Sequence, residues 1–306
     1  MKKIGDIFST IERFFTRDIW EINPAELSSR WKARFVKDMR LILEVLKNFA
    51  NDKVGFQSVA LCYFCMMAAV PFIAVCFALT GGLGLEGYLT QLLYSHFSSH
   101  PDVIEVVMNA ADNIIASAQK GVFGLISSLM FVWLVIWMMM RVEKVFNNVW
   151  GVKKSRNFFA QLGIDLAILI LAPFVIVIFF SGSIVYSNIL DLLVTGKVAF
   201  SDSIKSVLSW VIFFAVVVLV LSAMYKFIPT AFVQYRFAFK AAIVAGLAFT
   251  GLQYLYVETQ LLVTRLNGVY GTVAAIPLFM LWLRYGWLII LYGAEFSHSF
   301  QTNESL

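Results

Sequence analysis

Hydrophobic residues along this chain fall into long uninterrupted blocks, and the blocks have the length of membrane crossings. Residues 56–80, 121–140, 166–190 and 206–225 contain no Asp, Glu, Lys or Arg, and an α-helix needs about 20 apolar residues to cross hydrocarbon. A fifth block, 241–257, has 17 residues and reaches full length if Lys240 and Glu258 extend toward the interfaces. The sixth, 266–294, is interrupted by Arg284 alone and ends at Glu295. The pattern predicts an all-α polytopic membrane bundle of six transmembrane helices.

Lys and Arg in short loops resist translocation, so their distribution orients the bundle. Segments 1–54, 141–163 and 226–240 carry 11, 5 and 3 basic residues, whereas the opposite side carries only Lys120, Lys197, Lys205 and Arg265. The basic side is therefore expected to be cytosolic. An even number of crossings puts both termini there, and no cleavable signal peptide is expected in the charged, aromatic first 50 residues.

The regions between the blocks are patterned as well. Trp31, Phe35, Met39, Ile42, Leu46 and Phe49 share one helix face, with Lys32, Lys37, Arg40, Glu44 and Lys47 around it. Such a basic amphipathic helix either lies in the interface against anionic lipid or packs beneath the bundle. Residues 1–20 show a shorter version through Ile4, Ile7, Phe8, Ile11, Phe14 and Phe15. On the far side, Leu85, Leu89, Leu92, Leu93 and Phe97, then Ile104, Val107, Ala111, Ile114 and Ile115 after Pro101, predict two amphipathic helices. The expected organisation is thus 1–54 as cytosolic or interfacial helices, 55–300 as the transmembrane domain with an external helical hairpin at 81–120, and 301–306 as a cytosolic tail.

Composition agrees and narrows the function classes. Of 306 residues 60% are hydrophobic and 14% charged, against about 25% charged in globular proteins, and the mean hydropathy is +0.80. A soluble fold is excluded. The net charge of +5 is what orientation requires, so no nucleic-acid partner is inferred. Cys62, Cys65 and Cys76 all lie in the first block, where a thiol behaves as a small hydrophobe and a redox-active thiolate is disfavoured. His96 and His100 are four residues apart, but Pro101 breaks any single ligand helix, and no metal is expected. With no phosphate-binding loop or catalytic constellation, no cofactor is expected either.

Ionisable groups at bilayer depth cost roughly 2.5 to 3.5 kcal/mol on insertion scales, so they ask for a reason. Arg284 and Glu295 lie on nearly one face of the last helix but about 16 Å apart along it. Arg284 is expected either to line a hydrated pathway or to pair with a carboxylate of a neighbouring helix; Glu295 lies near the cytosolic interface. Pro71, Pro173 and Pro277 sit inside spans, where each frees a carbonyl and permits a kink. Gly121-Val122-Phe123-Gly124 and Gly268-Val269-Tyr270-Gly271 open the second and sixth spans, a match that suggests two parallel helices related by an approximate two-fold.

Asn147-Asn148-Val149-Trp150-Gly151-Val152 follows the second span and Tyr225-Lys226-Phe227-Ile228-Pro229 closes the fourth. Tyr270-Gly271, Leu281-Trp282 and Gly293-Ala294-Glu295 mark the last, and Ala60-Leu61-Cys62-Tyr63 leads to Pro71 in the first. In these motifs and their order, residues 50–300 resemble the YihY/BrkB family of bacterial inner-membrane proteins. Arg284 departs from the resemblance, which expects an aromatic residue in a Trp-x-Tyr pattern. The resemblance implies six helices with cytosolic ends and an inner-membrane location. It also carries the historical name ribonuclease BN, an activity for which the dispersed His96, His100 and His298 offer no ion-binding cluster. Its envelope associations imply a non-enzymatic protein that transports, flips or presents a lipid-like amphiphile. The alternative is a structural protein that holds an envelope partner through the external helices, and a lipid-modifying enzyme comes third. Pathway candidates are Arg284, Glu295, Pro71, Pro173, Pro277, Tyr63 and Trp282; the family-motif positions are Asn147, Trp150, Tyr225, Pro229, Gly271 and Gly293. Membrane lipids are the expected partners, and nothing in the residues fixes an oligomeric state.

Overall fold

A computed structural model describes residues 53–81, 101–118, 120–152, 156–171, 202–265 and 271–304, with single positions within 22–49 and 84–94. The described segments form helices α1 (Val54–Gly81), α2 (Pro101–Ala118), α3 (Val122–Val149), α4 (Phe158–Leu171), α5 (Asp202–Phe227), α6 (Tyr235–Arg265) and α7 (Gly271–Glu304). No strand occurs among the described residues. Five of these helices are long and apolar enough to cross a bilayer. The remaining expected crossing, 166–190, starts within α4; its part from 172 onward, with Pro173, lies outside the described residues. So do residues 1–20, most of the 85–97 helix, His96 and His100.

The helices overrun the charge-free blocks because a charge marks the edge of hydrocarbon, whereas backbone hydrogen bonding persists until a cap or a proline ends it. The block at 241–257 becomes the 31-residue α6. The last block becomes a 34-residue helix that runs through Pro277 and Arg284 and takes in residues 301–304 of the expected tail.

Within the bundle α6 packs between α5 and α7, α7 against α1, and α1 against α3 and α2. Most of the core gathers where α3, α5, α6 and α7 meet, around Phe146, Leu221, Tyr225, Ala241, Ala242, Leu291 and Ala294. The outer surface is apolar: Phe56 is 76% exposed, Phe123 87% and Leu247 70%, a surface that suits lipid and would be costly in water.

The two C-x-x-C cysteines stitch α1 to α7. Cys62 Sγ donates to the Met280 carbonyl at 3.3 Å and Trp287 Nε1 donates to Cys65 Sγ at 3.3 Å, with both thiols free. Before α1, Val45 is buried and Phe49 stacks on Tyr292 with ring centroids 3.7 Å apart, so the end of that amphipathic helix packs against the bundle.

Helix α2 lies on α1 and α3; Ser128 Oγ donates to the Ile114 carbonyl at 3.1 Å. The turn from α2 into α3 needs its glycines. Gly121 has a φ of 85°, and a Cβ on Gly124 would stand 1.9 Å from the Ser117 carbonyl oxygen. The Gly121–Gly124 pattern thus has a local steric cause; Gly268 of the matching pattern lies outside the described residues.

Candidate functional site

The buried polar residues concentrate at one end of the bundle, the basic end, where α3 and α5 finish, α6 begins and α7 ends. α3 stops in a Schellman motif: Val152 N–H donates to the Asn147 carbonyl at 2.9 Å and Gly151 N–H to the Asn148 carbonyl at 3.0 Å, with Gly151 at a φ of 60°. This arrangement satisfies the last carbonyls and explains why glycine follows Trp150. α5 ends two residues before Pro229, as the steric demand of proline on its predecessor requires.

The turn 228–234 between α5 and α6 is held from several sides. Thr230 N–H donates to Asn147 Oδ1 at 2.7 Å and Thr230 Oγ1 to Glu143 Oε1 at 3.2 Å. Asn147 Nδ2 donates to the same Glu143 oxygen at 3.4 Å. From α7, Gln301 Nε2 donates to the Phe232 carbonyl and its Oε1 accepts from Gln234 N–H, both at 2.9 Å. Arg156 Nη2 donates to the Phe227 and Pro229 carbonyls at 3.4 and 3.3 Å, and Lys226 Nζ donates to the Val233 carbonyl.

Around this turn Glu143, Asn147, Asp165, Glu295, Ser297 and Ser299 are all buried. Buried polar groups are normally hydrogen-bonded, yet among the described residues Asp165 Oδ2, Tyr225 Oη, Ser297 Oγ and Ser299 Oγ find no such partner. Asp165 precedes the 166–190 block. Burial first, and the Glu143 carboxylate second, push it up to about 6, while Arg156 opposes them.

Beside the turn lies a recess of about 460 Å³ whose lining includes Trp150, Arg236, Phe237, His298, Gln301 and Thr302. The Trp150 and His298 rings are 5.0 Å apart. The Gln301 amide of the lining is held by the turn and the Thr302 hydroxyl donates to the His298 carbonyl at 3.0 Å, so what the recess brings to a ligand is chiefly the positive charge of Arg236, which suits an anionic group, beside exposed Phe232.

The family-motif positions converge here with one exception. Asn147 ties to the turn of Pro229, and Trp150 lines the recess. Tyr225 lies against Gly293, whose added Cβ would stand 2.0 Å from the tyrosine Oη. Gly271 is the first residue of α7, at the bundle's other end. The pathway candidates do not converge. Tyr63 and Pro277 are exposed, Pro71 and Glu295 are buried, and Trp282 packs among Phe249, Tyr256 and Phe279.

Arg284 is exposed, its guanidinium 5.8 Å from the Tyr285 ring centroid, and no ion pair of it occurs among the described residues. The face of α7 that carries it is exposed at Ile276, Met280 and Leu281 and borders the contact with α1, where Cys62 Sγ meets the Met280 carbonyl. Sequence reasoning passed over Glu143, Arg156, Asp165, Thr230, Arg236 and Gln301. For Glu143 and Asn147 the signal was present, an acid and an amide four residues apart on one face of an apolar helix.

A family model described as Virulence factor BrkB matches residues 45–305. A UPF0761 membrane protein of Chromohalobacter salexigens is 29% identical over 290 residues, 89% of this chain and 65% of the relative. One of Alteromonas mediterranea is 27% identical over 267 residues, 83% of this chain and 85% of the relative. One of Acinetobacter baylyi is 28% identical over 266 residues, 85% and 62% respectively. The chain therefore spans a little under two thirds of the Chromohalobacter and Acinetobacter relatives. No solved structure matches.

Proposed function

The chain belongs to the family of virulence factor BrkB, and from that premise we propose that this multi-pass membrane protein transports, flips or presents a lipid-like amphiphile of the bacterial cell envelope. In this reading it is a non-enzymatic protein of the inner membrane with its basic end and both termini in the cytosol. The observation that carries the reading is the recess at the basic end, whose Arg236, His298 and Thr302 adjoin a surface as apolar as lipid. A head group would bind in the recess while acyl chains stay along the outward faces of the helices, so neither part leaves a solvent that suits it. Arg284, exposed on the apolar face of α7, would meet an anionic group on the same route.

Reconstitution into liposomes containing a labelled phospholipid or a labelled lipid-linked glycan tests the proposal. The protein is expected to accelerate movement of one of them across the bilayer, and Arg236→Gln and Arg284→Gln to slow it without lowering the thermal midpoint in detergent. Rates no higher than those of empty liposomes for every lipid tried would refute it.

The second reading, a structural protein that holds an envelope partner, draws on α2, which is packed on α1 and α3 while Glu105, Val106, Asp112 and Asn113 remain exposed. A single envelope protein crosslinked reproducibly from Val106 and Asn113, together with no lipid movement, would favour it.

A further inference from the structure

Asp165 is used by nothing described so far, and its placement asks for an explanation. Its side chain is 3% exposed, and Oδ2 has no hydrogen-bond partner among the described residues. The charged groups that face it there are Glu143 of α3 and Arg156 of the link between α3 and α4. Glu143 is committed as an acceptor, because Asn147 Nδ2 and Thr230 Oγ1 both donate to its Oε1. Arg156 donates to the Phe227 and Pro229 carbonyls, so its charge is shared with the end of α5.

A second negative charge buried beside a fixed carboxylate is disfavoured both by lost hydration and by repulsion, and the inexpensive remedy is a proton. We propose that Asp165 is a proton-binding site, loaded from water at the basic end, whose occupancy holds α4 against α3. With the proton on Oδ2 the group is neutral and the seam closes. When the proton returns to water, two carboxylates repel across the seam, and hydration of the pair favours its opening. The balance is one proton taken up and one released, with no other reactant. The further step, that a proton gradient drives amphiphile movement through this seam, rests on the reading given under Proposed function; the site itself does not.

The shift of Asp165 to about 6 places the transition where a modest acidification changes its state. Infrared spectra of the protein in lipid nanodiscs, recorded as a function of pH, read the site directly. The expected result is a protonated-carboxyl band that disappears with a midpoint near 6, is missing in Asp165→Asn, and moves to lower pH in Glu143→Gln. Absence of such a band in the native protein, or its persistence in Asp165→Asn, overturns the proposal. Should Asp165→Asn not fold, Glu143→Gln decides, since an unmoved midpoint removes the proposed pairing.

Proteoliposomes with and without a pH gradient then address the coupling. Faster lipid movement with the gradient in the native protein but not in Asp165→Asn supports it, and equal rates overturn it. A titrating band with no lipid movement under any condition leaves the proton site standing and defeats the amphiphile reading.

Discussion

Gly293 shows what a single missing side chain does here. An added Cβ would meet Tyr225 Oη at 2.0 Å and Ala245 Cβ at 2.7 Å, and all three residues are buried in the α5–α6–α7 contact. Gly293→Ala should therefore destabilise the protein by about 1 to 3 kcal/mol, the usual cost of overpacking, measured by denaturant or thermal unfolding in detergent. The Tyr225 hydroxyl has no hydrogen-bond partner among the described residues, so Tyr225→Phe gives up no bond and should recover part of the loss in the double variant. A loss that Tyr225→Phe leaves unchanged would mean that the strain lies elsewhere. Asp165 supplies a second residue-scale expectation. Its acidity is weakened from 3.8 to about 6, so the folded state holds the proton more firmly than the unfolded chain does. Its contribution to stability is full below 3.8 and is lost as the pH rises to about 6. The difference in thermal midpoint between the native protein and Asp165→Asn should accordingly change across that window and be flat above it.

At the scale of elements, the end of α3 and the turn between α5 and α6 act as one unit. Asn147 Oδ1 accepts the Thr230 N–H, and Asn147→Ala would strand that donor at a typical cost of about 1 to 3 kcal/mol. The expected signature is local: faster amide hydrogen exchange across 228–234, with exchange in the middle of α1 unchanged. Uniform acceleration throughout the protein would show instead that Asn147 acts only through global stability. The helices themselves were legible in the chain wherever composition alone decides, because about 20 uncharged residues have no stable alternative to a helix in hydrocarbon. Their ends were not. The Schellman close at Gly151 and the stop before Pro229 depend on local backbone chemistry, and α6 outruns its apolar block by passing through Lys240 and Glu258 at the polar boundary.

For the whole molecule, the charge asymmetry makes a prediction independent of any transported substrate. Ser99→Cys should react with an impermeant thiol reagent added outside intact cells, whereas Ser155→Cys should react only after the membrane is opened. The reverse pattern would invert the orientation. The all-helical polytopic class and the placement of most crossings were determined by the sequence, and the sidedness is an expectation from it, since each follows from transfer free energies that act residue by residue on the chain. What only tertiary structure decided is which polar residues matter together. Arg284, conspicuous in the sequence because it breaks an apolar block, is exposed on α7. Glu143, Thr230 and Gln301, unremarkable where they stand, meet around one turn although 87 residues separate the first two. Periodicity tells which residues share a face of one helix, but the rotation of that helix against its neighbours is set by the packing of all of them at once, and so the site could be assembled only from the fold.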